Sequence, residues 1–269
     1  MKMLILKICR YILPAVCAVM SFQAEARRII SLSPAATEVV YLLGRGDELV
    51  GRSSACDHPA QVKKLPVTGD FARPDTAKIL KLKPDIVITN DLIVPSAANI
   101  LRRFNIKVVF APCRSIQGYR EMIKTLGREL DAEKESAAEL RRIDAFIEQC
   151  RKNRKFDLKI LCLIWHHPVI AAGDRTLMSE LLALAGAENC VKENITGYFK
   201  PSSGYLLNCG ADAVLVFENP SRYRKNPVLR HMKAVKNGCI IYFPHAELLQ
   251  RPGPRFTEGV LKLREYLKK

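Results

Sequence analysis

The 269-residue sequence lacks the short motifs that mark common catalytic sites. It contains no GxSxG of a serine hydrolase, no HExxH of a zinc protease, no GxGxxG after a strand and no GxxxxGK[ST] phosphate loop. Each motif sets a nucleophile, a metal ligand or a phosphate cradle at a fixed spacing. There is also no CxxC pair of the kind found in tight zinc or redox sites. The sequence therefore gives little support to an enzymatic role.

Long hydrophobic runs are also scarce. The apolar run Tyr11–Met20 is about half the ~20 residues that span a bilayer. Three basic residues precede it: Lys2, Lys7 and Arg10. A small-residue cleavage site follows at 24–26, so we predict a secretory signal peptide over residues 1–26, with a membrane anchor as the alternative. Lipoprotein anchoring at Cys17 is not expected, because the preceding Val16 is bulky. The predicted location is the periplasm or cell envelope.

Negative charge is in short supply, since 43 Lys and Arg face 27 Asp and Glu for a net charge of +16. Removal of residues 1–26 takes away three basic residues and one acid and leaves +14. Such a charge is compatible with nucleic acid or an anionic membrane surface. Export argues against a genomic role, and the basic residues are spread along the chain. We expect no nucleic-acid partner; solvated helix faces, anionic ligands and lipid headgroups remain open.

Cysteine is not scarce, but its number is odd. Two of the nine cysteines precede residue 27, and seven remain: Cys56, Cys113, Cys150, Cys162, Cys190, Cys209 and Cys239. An oxidising compartment permits up to three disulfides and one remaining thiol, and the sequence does not give the pairing. Cys162 lies in the apolar stretch 160–164, which predicts an ordinary buried thiol.

Apolar strand-like runs alternate with helical periodicity on both sides of a central segment. The predicted strands of the first part are 29–32, 49–51, 86–89 and 107–110, with helices at 35–43, 75–82 and 96–104. The predicted strands of the second part are 159–165, 213–217 and 239–243, with helices at 177–185 and 256–267. This alternation predicts parallel sheets with helices on their faces.

The segment Ser115–Lys152 between these parts has no strand signal and no proline, which predicts one long helix or a broken pair. The predicted organisation is an N-terminal α/β lobe at 27–114, a helical spacer at 115–156 and a C-terminal α/β lobe at 157–269. The two parts contain a weak internal repeat. A short helix, a turn and a strand occur at 75–88 and again at 202–216.

Ligands of parallel sheets bind at the carboxyl ends of the strands, which draws attention to the loops there. His58 lies in such a loop and is a candidate ligand contact. His166 and His167 point opposite ways if both lie on a strand, but the following Pro168 favours a loop. Each is interpreted as a surface histidine or a metal ligand. Glu38 is interpreted as a first-turn charge that complements the helix dipole.

Several segments closely resemble the amino-terminal lobe of a known family. They are Arg28 to Gly44 (RIISLSPAATEVVYLLG), Leu49 to Gly51, Cys56 to Pro59 (CDHP), Lys64 to Gly69 (KLPVTG) and Ile79 to Ile88 (ILKLKPDIVI). The sequence resembles the periplasmic cobalamin and iron-siderophore binding proteins of ABC importers, most closely the cobalamin branch. The match is dense through residue 90 and weaker later.

The resemblance implies two three-layer α/β/α lobes with mainly parallel sheets, joined by a long helix. It implies a non-enzymatic, monomeric protein without an intrinsic cofactor that holds cobalamin or another corrinoid between its lobes for an importer. Haem is the second ligand candidate, since His58, His166, His167 and Tyr198 offer axial ligands, and a ferric siderophore is the third. An envelope enzyme that modifies tetrapyrroles, such as a chelatase, is the alternative of another class.

The resemblance also assigns the cleft residues. Aromatic positions of the family fall on His58, Phe71 and Tyr198, and the cleft arginine falls on Arg251. Trp165, the single tryptophan, ends a strand beside the cleft. Aromatic faces pack against a macrocycle, and a guanidinium binds amides or carboxylates. Core packing is the alternative for Phe71 and Trp165.

The sequence departs from the family at the importer-docking positions. The resemblance implies one glutamate on each lobe, early in the helix before the Pro-Asp strand. These positions read Ala77 and Gly204, and Lys78, Lys81 and Lys200 lie nearby. We therefore expect the fold to be that of the family and docking on a conventional importer to be impaired.

Overall fold

The computed structural model describes residues 27–153, 155–191, 194–251 and 253–268. The predicted signal peptide at 1–26, including Cys17, lies outside the described residues. Within those ranges, no helix has the length and apolar character that a bilayer crossing requires.

The first lobe contains a four-stranded parallel sheet in the order β2-β1-β3-β4. Its strands are β1 (Ile29–Ser31), β2 (Leu49–Arg52), β3 (Ile86–Thr89) and β4 (Lys107–Phe110). Its helices are α1 (Pro34–Leu42), α2 (Thr76–Lys81) and α3 (Pro95–Arg103), with 3₁₀ turns at Gly46–Glu48 and Ala60–Lys64.

Helices cover both faces of this sheet. Ile29 of β1 belongs to the core shared with α1, whereas the next residue, Ile30, packs with α2 and α3 on the opposite face. Burial on both faces explains why the strands read as continuous apolar runs. Helix α1 starts directly after β1 because Pro34 occupies its first turn and the Ser33 hydroxyl accepts a hydrogen bond from the Ala36 amide.

The spacer is a pair of helices and not one long helix. Helices α4 (Ile116–Glu129) and α5 (Glu133–Lys152) pack against each other. The Ser136 hydroxyl of α5 donates to the Ile123 carbonyl of α4 at 3.1 Å, and Gly127 leaves the space that Ser136 fills. Helix α4 also packs on α1 of the first lobe, and α5 packs on the second lobe. The long helix α5 therefore makes the connection.

The second lobe contains a mixed sheet. Its strands are β5 (Lys159–His166), β6 (Val169–Ala172), β7 (Glu188–Asn189), β8 (Tyr198–Phe199), β9 (Ala213–Val216) and β10 (Ile240–Tyr242). The order is β10-β9-β5-β6-β8, with β7 beside β5; β5, β7, β9 and β10 are parallel, and β6 runs antiparallel to its two neighbours.

Six helices surround this sheet. They are α6 (Leu177–Ala185), α7 (Ser203–Asn208), α8 (Pro220–Lys225), α9 (Lys233–Lys236), α10 (Ala246–Gln250) and α11 (Phe256–Leu267), with a 3₁₀ turn at Leu229–His231. On β5, Cys162 faces the core with α6 and α11, and Leu161 faces the core with α7, α8 and α9. The predicted fold class, α/β with two three-layer lobes of mainly parallel sheets joined by a long helix, is confirmed.

The internal repeat at 75–88 and 202–216 contains an aspartate with the same structural role in each lobe. The Asp85 carboxylate accepts the Arg28 amide at the start of β1 at 2.8 Å, and the Asp212 carboxylate accepts the Lys159 amide at the start of β5 at 2.9 Å. Each aspartate directly precedes the neighbouring strand. The same turn therefore sets the relative position of the two central strands in both lobes.

The two lobes share one hydrophobic core. This cluster runs from α1 through α4 and α5 to α6 and α11. Phe256 of α11 is buried and makes edge-to-face contacts with Tyr119 of α4 at 5.5 Å and with Phe146 of α5 at 6.2 Å between ring centroids. Rings in this geometry attract each other beyond their burial, so α11 is fixed to both spacer helices.

Candidate ligand cleft between the lobes

Loops at the carboxyl edges of the two sheets meet at an ion pair. A guanidinium nitrogen of Arg251, after α10, donates to the Asp57 carboxylate, after β2, at 2.5 Å. Both side chains are partly exposed. Partial burial alone would raise the pKa of Asp57, but the hydrogen bond and charge of Arg251 hold that pKa below its usual value. The Asp57 carboxylate therefore stays charged at neutral pH.

A second ion pair joins the lobes deeper in the molecule. Arg255 donates through Nε and one terminal nitrogen to the two oxygens of Glu38, at 2.9 and 2.7 Å. Only 5% of the Glu38 side chain is exposed, and the bond raises the pKa of Arg255. The interpretation of Glu38 as a first-turn charge is wrong, because the first turn of α1 contains no acidic residue. Glu38 is the buried anchor of a contact between the lobes.

His58 lies exposed beside this junction. Two hydrogen bonds hold its loop in place. Arg52 donates to the Cys56 carbonyl at 3.0 Å, and the buried Cys56 thiol accepts a hydrogen bond from the Thr37 hydroxyl at 3.1 Å. The histidine therefore projects from a fixed base. It directly follows Asp57, the partner of Arg251.

Phe71 is half-buried in the following loop. The Asp70 carboxylate accepts the amides of Ala72 and Arg73, each at 2.7 Å, and the Ala72 carbonyl accepts the Val94 amide at 2.9 Å. This network ties the loop of Phe71 to the loop after β3. Phe71 is not among the buried core residues of the described chain, which leaves it available to a ligand.

Trp165 lies on the surface and not in the core. The residue is 52% exposed, and its indole nitrogen donates to the His167 carbonyl at 2.8 Å. The residues His167 and Pro168 form the turn of the β5-β6 hairpin, as the proline suggested. The hydrogen bond holds the ring at the end of β5.

The remaining candidates differ in how freely their polar atoms can meet a ligand. His166 pairs through Nδ1 with Glu218, whereas His167 is exposed in the turn. Tyr198 on β8 is 55% exposed as a residue, but burial raises the pKa of its phenol to about 12, with Cys162 adding to the rise. The ring edge is thus accessible while the hydroxyl is poorly hydrated.

Hydrogen bonds link the predicted residues into two groups. One contains Arg251 with the loop of His58, and the other contains Trp165 with His167. Among the described residues, no hydrogen bond or ion pair joins Phe71 or Tyr198 to either group. Apart from Tyr198, which pairs with Ala172 away from the end of β5, these residues offer rings, imidazoles and a guanidinium at the carboxyl edges of two sheets, where α/β proteins bind ligands.

A protein-family model described as "Periplasmic binding protein" matches residues 29–247. The chain belongs to this family. The resemblance found in the sequence is thereby confirmed at the family level, and the family consists of substrate-binding proteins.

Relatives and solved structures agree with this assignment. The uncharacterised ABC transporter substrate-binding lipoprotein YvrC of Bacillus subtilis is 24% identical over 91% of this chain and 81% of its own length. The periplasmic vitamin B12-binding protein BtuF of Vibrio cholerae is 25% identical, with a TM-score of 0.73 over 90% of this chain and 97% of that one. The periplasmic haem-binding protein HutB of Vibrio cholerae shares the fold, with a TM-score of 0.80 at 23% identity over 91% of this chain and 100% of that one.

Sequence reasoning missed the partners of the site residues. Asp57, Glu218 and Arg255 were not recognised as the partners of Arg251, His166 and Glu38. Asp57 stands directly before His58, and this adjacency was the available signal for it. Two of these pairs join residues about 200 positions apart, and opposite charge alone does not select such a pair.

Two surface pockets of the described chain lie away from these groups. One, of about 320 Å³, is formed by the end of α7, the following turn and α9, and the other lies among α4, α5 and α6. Neither contains a candidate ligand residue. The case for the cleft thus depends on the chemistry at the carboxyl edges and on the family.

Proposed function

We propose that this protein binds cobalamin or another corrinoid between its two lobes and presents it to an ABC-type importer. The observation that carries the proposal is Arg251, a guanidinium held at the lobe junction with accessible aromatic rings at the same sheet edges. Membership of a substrate-binding family supports a transport role and removes most support for a chelatase.

The chemistry of a corrinoid fits this set of groups. Its macrocycle has a flat apolar surface and a rim of amides. Arg251 has five N–H donors and commits one nitrogen to Asp57, so other donors can reach rim amides. Trp165, Tyr198 and Phe71 supply ring surface for the macrocycle. The 25% identical structural relative is named as a vitamin B12-binding protein, which favours this ligand.

Haem is the second candidate, because exposed histidines can bind its iron. The geometry narrows the choice of axial ligand. The raised pKa of Tyr198 disfavours a phenolate. The pairing of His166 Nδ1 with Glu218 leaves Nε2 for the iron, so the axial ligand would be His58, His166 or His167. A ferric siderophore is the third candidate, favoured by the net charge of +16.

We further propose the domain boundaries 27–114, 115–156 and 157–269, a signal peptide at 1–26, export to the periplasm or envelope, and a monomeric protein. Phe256 of the C-terminal lobe contacts both helices of the spacer, and the neighbouring Arg255 binds Glu38 of the N-terminal lobe. These contacts support treating the two lobes as one ligand-binding unit.

The importer is proposed to have an unconventional docking surface. Ala77 and Gly204 occupy the second positions of α2 and α7, the corresponding helices of the two lobes, and both are exposed. Docking glutamates at these positions would be accessible, and the side chains present carry no charge. Lys81 and Lys200 are exposed basic neighbours. A permease with acidic sockets would complement this surface.

Calorimetry with separate additions of cyanocobalamin, haem and a ferric hydroxamate tests the proposal on the mature protein. We expect one-to-one corrinoid binding with Kd between nanomolar and micromolar. Arg251→Ala should weaken binding about 10-fold or more, and Arg151→Ala, which removes an exposed arginine at the end of α5, should not. Saturable haem binding without corrinoid binding would replace the first candidate by the second.

A further inference from the structure

Two cysteines of the second lobe lie on facing segments. Cys190 directly follows β7, and its amide donates to the Ile160 carbonyl of β5 at 3.0 Å. Cys209 caps the carboxyl end of α7. Both are half-buried and pack against the same hydrophobic cluster, which also contains Leu206 of α7.

The thiols of Cys190 and Cys209 lie close enough to interact with each other, and the Cys209 sulfur also lies 3.6 Å from the Leu206 carbonyl oxygen. This interaction raises the pKa of Cys190 and lowers the pKa of Cys209, whose thiolate is also stabilised by the Ala211 amide. The proton therefore stays on Cys190 while negative charge is favoured on Cys209. Nearby Tyr205 faces both sulfur atoms, and burial raises the pKa of its phenol to about 12 with a contribution from both cysteines.

We propose that Cys190 and Cys209 form a disulfide in the exported protein, by exchange with a thiol-disulfide oxidoreductase of the envelope. Cys209 attacks one sulfur of the oxidoreductase disulfide and forms a mixed disulfide, and the other sulfur leaves as a thiolate. Cys190 then loses its proton and attacks the Cys209 sulfur, which releases the second oxidoreductase thiolate. The protein loses two electrons and two protons, and one disulfide of the oxidoreductase is reduced.

Access and protonation distinguish this pair from other cysteines. The pocket of about 320 Å³ at the end of α7 has Cys209 in its wall, which gives a partner a route to this sulfur. Cys162 is fully buried, and burial raises the pKa of its thiol. Cys56 is also buried and bonded to Thr37 and Ser53. A buried thiol that stays protonated is a poor nucleophile.

The bridge would stabilise the segment that contains the candidate ligand residue Tyr198. It would close the segment from Cys190 to Cys209, which contains Tyr198 on β8 and helix α7. Phe199 and Tyr205 already connect β8 with α7 through an edge-to-face contact at 5.5 Å. The disulfide would add a covalent link between the end of β7 and the end of α7 and reduce the freedom of the unfolded chain.

Peptide mapping without reduction tests the inference on mature protein isolated from an oxidising compartment. Trypsin cuts after Arg175, Lys192 and Arg222, so the two cysteines fall on separate peptides. We expect one species that links these peptides, disappears on reduction and is absent from Cys190→Ser and Cys209→Ser. The control Cys239→Ser, which removes an exposed cysteine, should retain it.

Two further readouts decide the assignment. Alkylation before reduction should modify neither Cys190 nor Cys209, and alkylation of reduced protein at pH 7 should modify Cys209 before Cys190. Complete alkylation of both residues in the unreduced exported protein would overturn the disulfide, as would a link from either one to another cysteine. Faster alkylation of Cys190 would overturn the role of Cys209 as the attacking thiol.

Discussion

At the scale of single residues, Trp165 offers the most direct optical test of the cleft. It is the single tryptophan of the sequence, and the residue is 52% exposed at the end of β5. A corrinoid or haem bound there absorbs light and should quench its fluorescence, and loss of the ring contact in Trp165→Ala should weaken binding by about 3- to 10-fold. Fluorescence titration and calorimetry measure the two effects. Unchanged emission at saturation would take Trp165 out of the site.

Arg255 and Glu38 form the most buried ion pair between the lobes. Arg255→Ala leaves the Glu38 carboxylate buried without its partner, and we expect a loss of about 2–4 kcal/mol in the free energy of unfolding. Urea denaturation measures this loss. Arg151→Ala, which breaks an exposed pair with Glu148, is the control and should cost about 1 kcal/mol or less. Equal losses in the two variants would contradict the role assigned to Glu38.

Residue types and strand ends were readable from the sequence, but side-chain partners were not. The turn at His167 and Pro168 follows from local stereochemistry, which a proline restricts strongly. The bidentate bond of Glu38 depends on the arrival of a loop more than 200 residues later. The aromatic positions were assigned by resemblance, and Trp165 could be placed at a strand end but not inside or outside the core.

At the scale of elements, the α4-α5 pair depends on the close approach at Gly127. A Cβ atom there would lie 2.5 Å from the Ser136 Cβ, so Gly127→Ala must push the helices apart. We expect a loss of about 1–3 kcal/mol in the free energy of unfolding, measured by urea denaturation. Gly118→Ala in the same helix meets its nearest atom at 3.4 Å and should be neutral or stabilising by up to about 1 kcal/mol. An unchanged free energy of unfolding in Gly127→Ala would mean that α4 and α5 are not closely packed at this position.

The regular elements were predictable where the apolar period was long or the strand was buried on both faces. Helices α6 and α11 and the fully buried strand β3 have the predicted bounds, and α1 lies within one residue of them. The sequence did not predict β6, β7 or β8, which have two to four residues each. The two-residue strands β7 and β8 contain too few positions for alternation to be recognised, and β6 is defined by its antiparallel pairing with β5 and β8.

At the scale of the whole molecule, the shared core limits how far the lobes can separate. Phe256 packs on both spacer helices, and the Glu38 bond joins α1 to the start of α11. Wide opening would expose this core and break a buried ion pair, so we expect only modest motion on ligand binding. Small-angle scattering of the free and bound protein should give nearly superimposable curves. A large compaction would show that α5 bends or that the core divides.

Docking is the property in which this molecule should differ most from the family pattern. The corresponding helices α2 and α7 expose Ala77 and Gly204, and no atom lies within 4 Å of the position a Gly204 Cβ would take. On a conventional importer, each missing carboxylate leaves a buried basic side chain of the docking pocket without its partner. This weakens the free energy of docking by about 2–5 kcal/mol for each carboxylate. If additive, two such losses weaken docking by several orders of magnitude.

We therefore expect that the protein does not stimulate the ATPase of a reconstituted conventional cobalamin importer, whereas Ala77→Glu combined with Gly204→Glu does. The added glutamates are compatible with the fold, because acidic side chains in the first turn of a helix interact favourably with its dipole. Leu207→Glu, at an exposed position of α7 away from the start of the helix, adds the same charge and should not restore stimulation. Stimulation by the unmodified protein equal to that of the importer's own partner would show that carboxylates at these positions are dispensable.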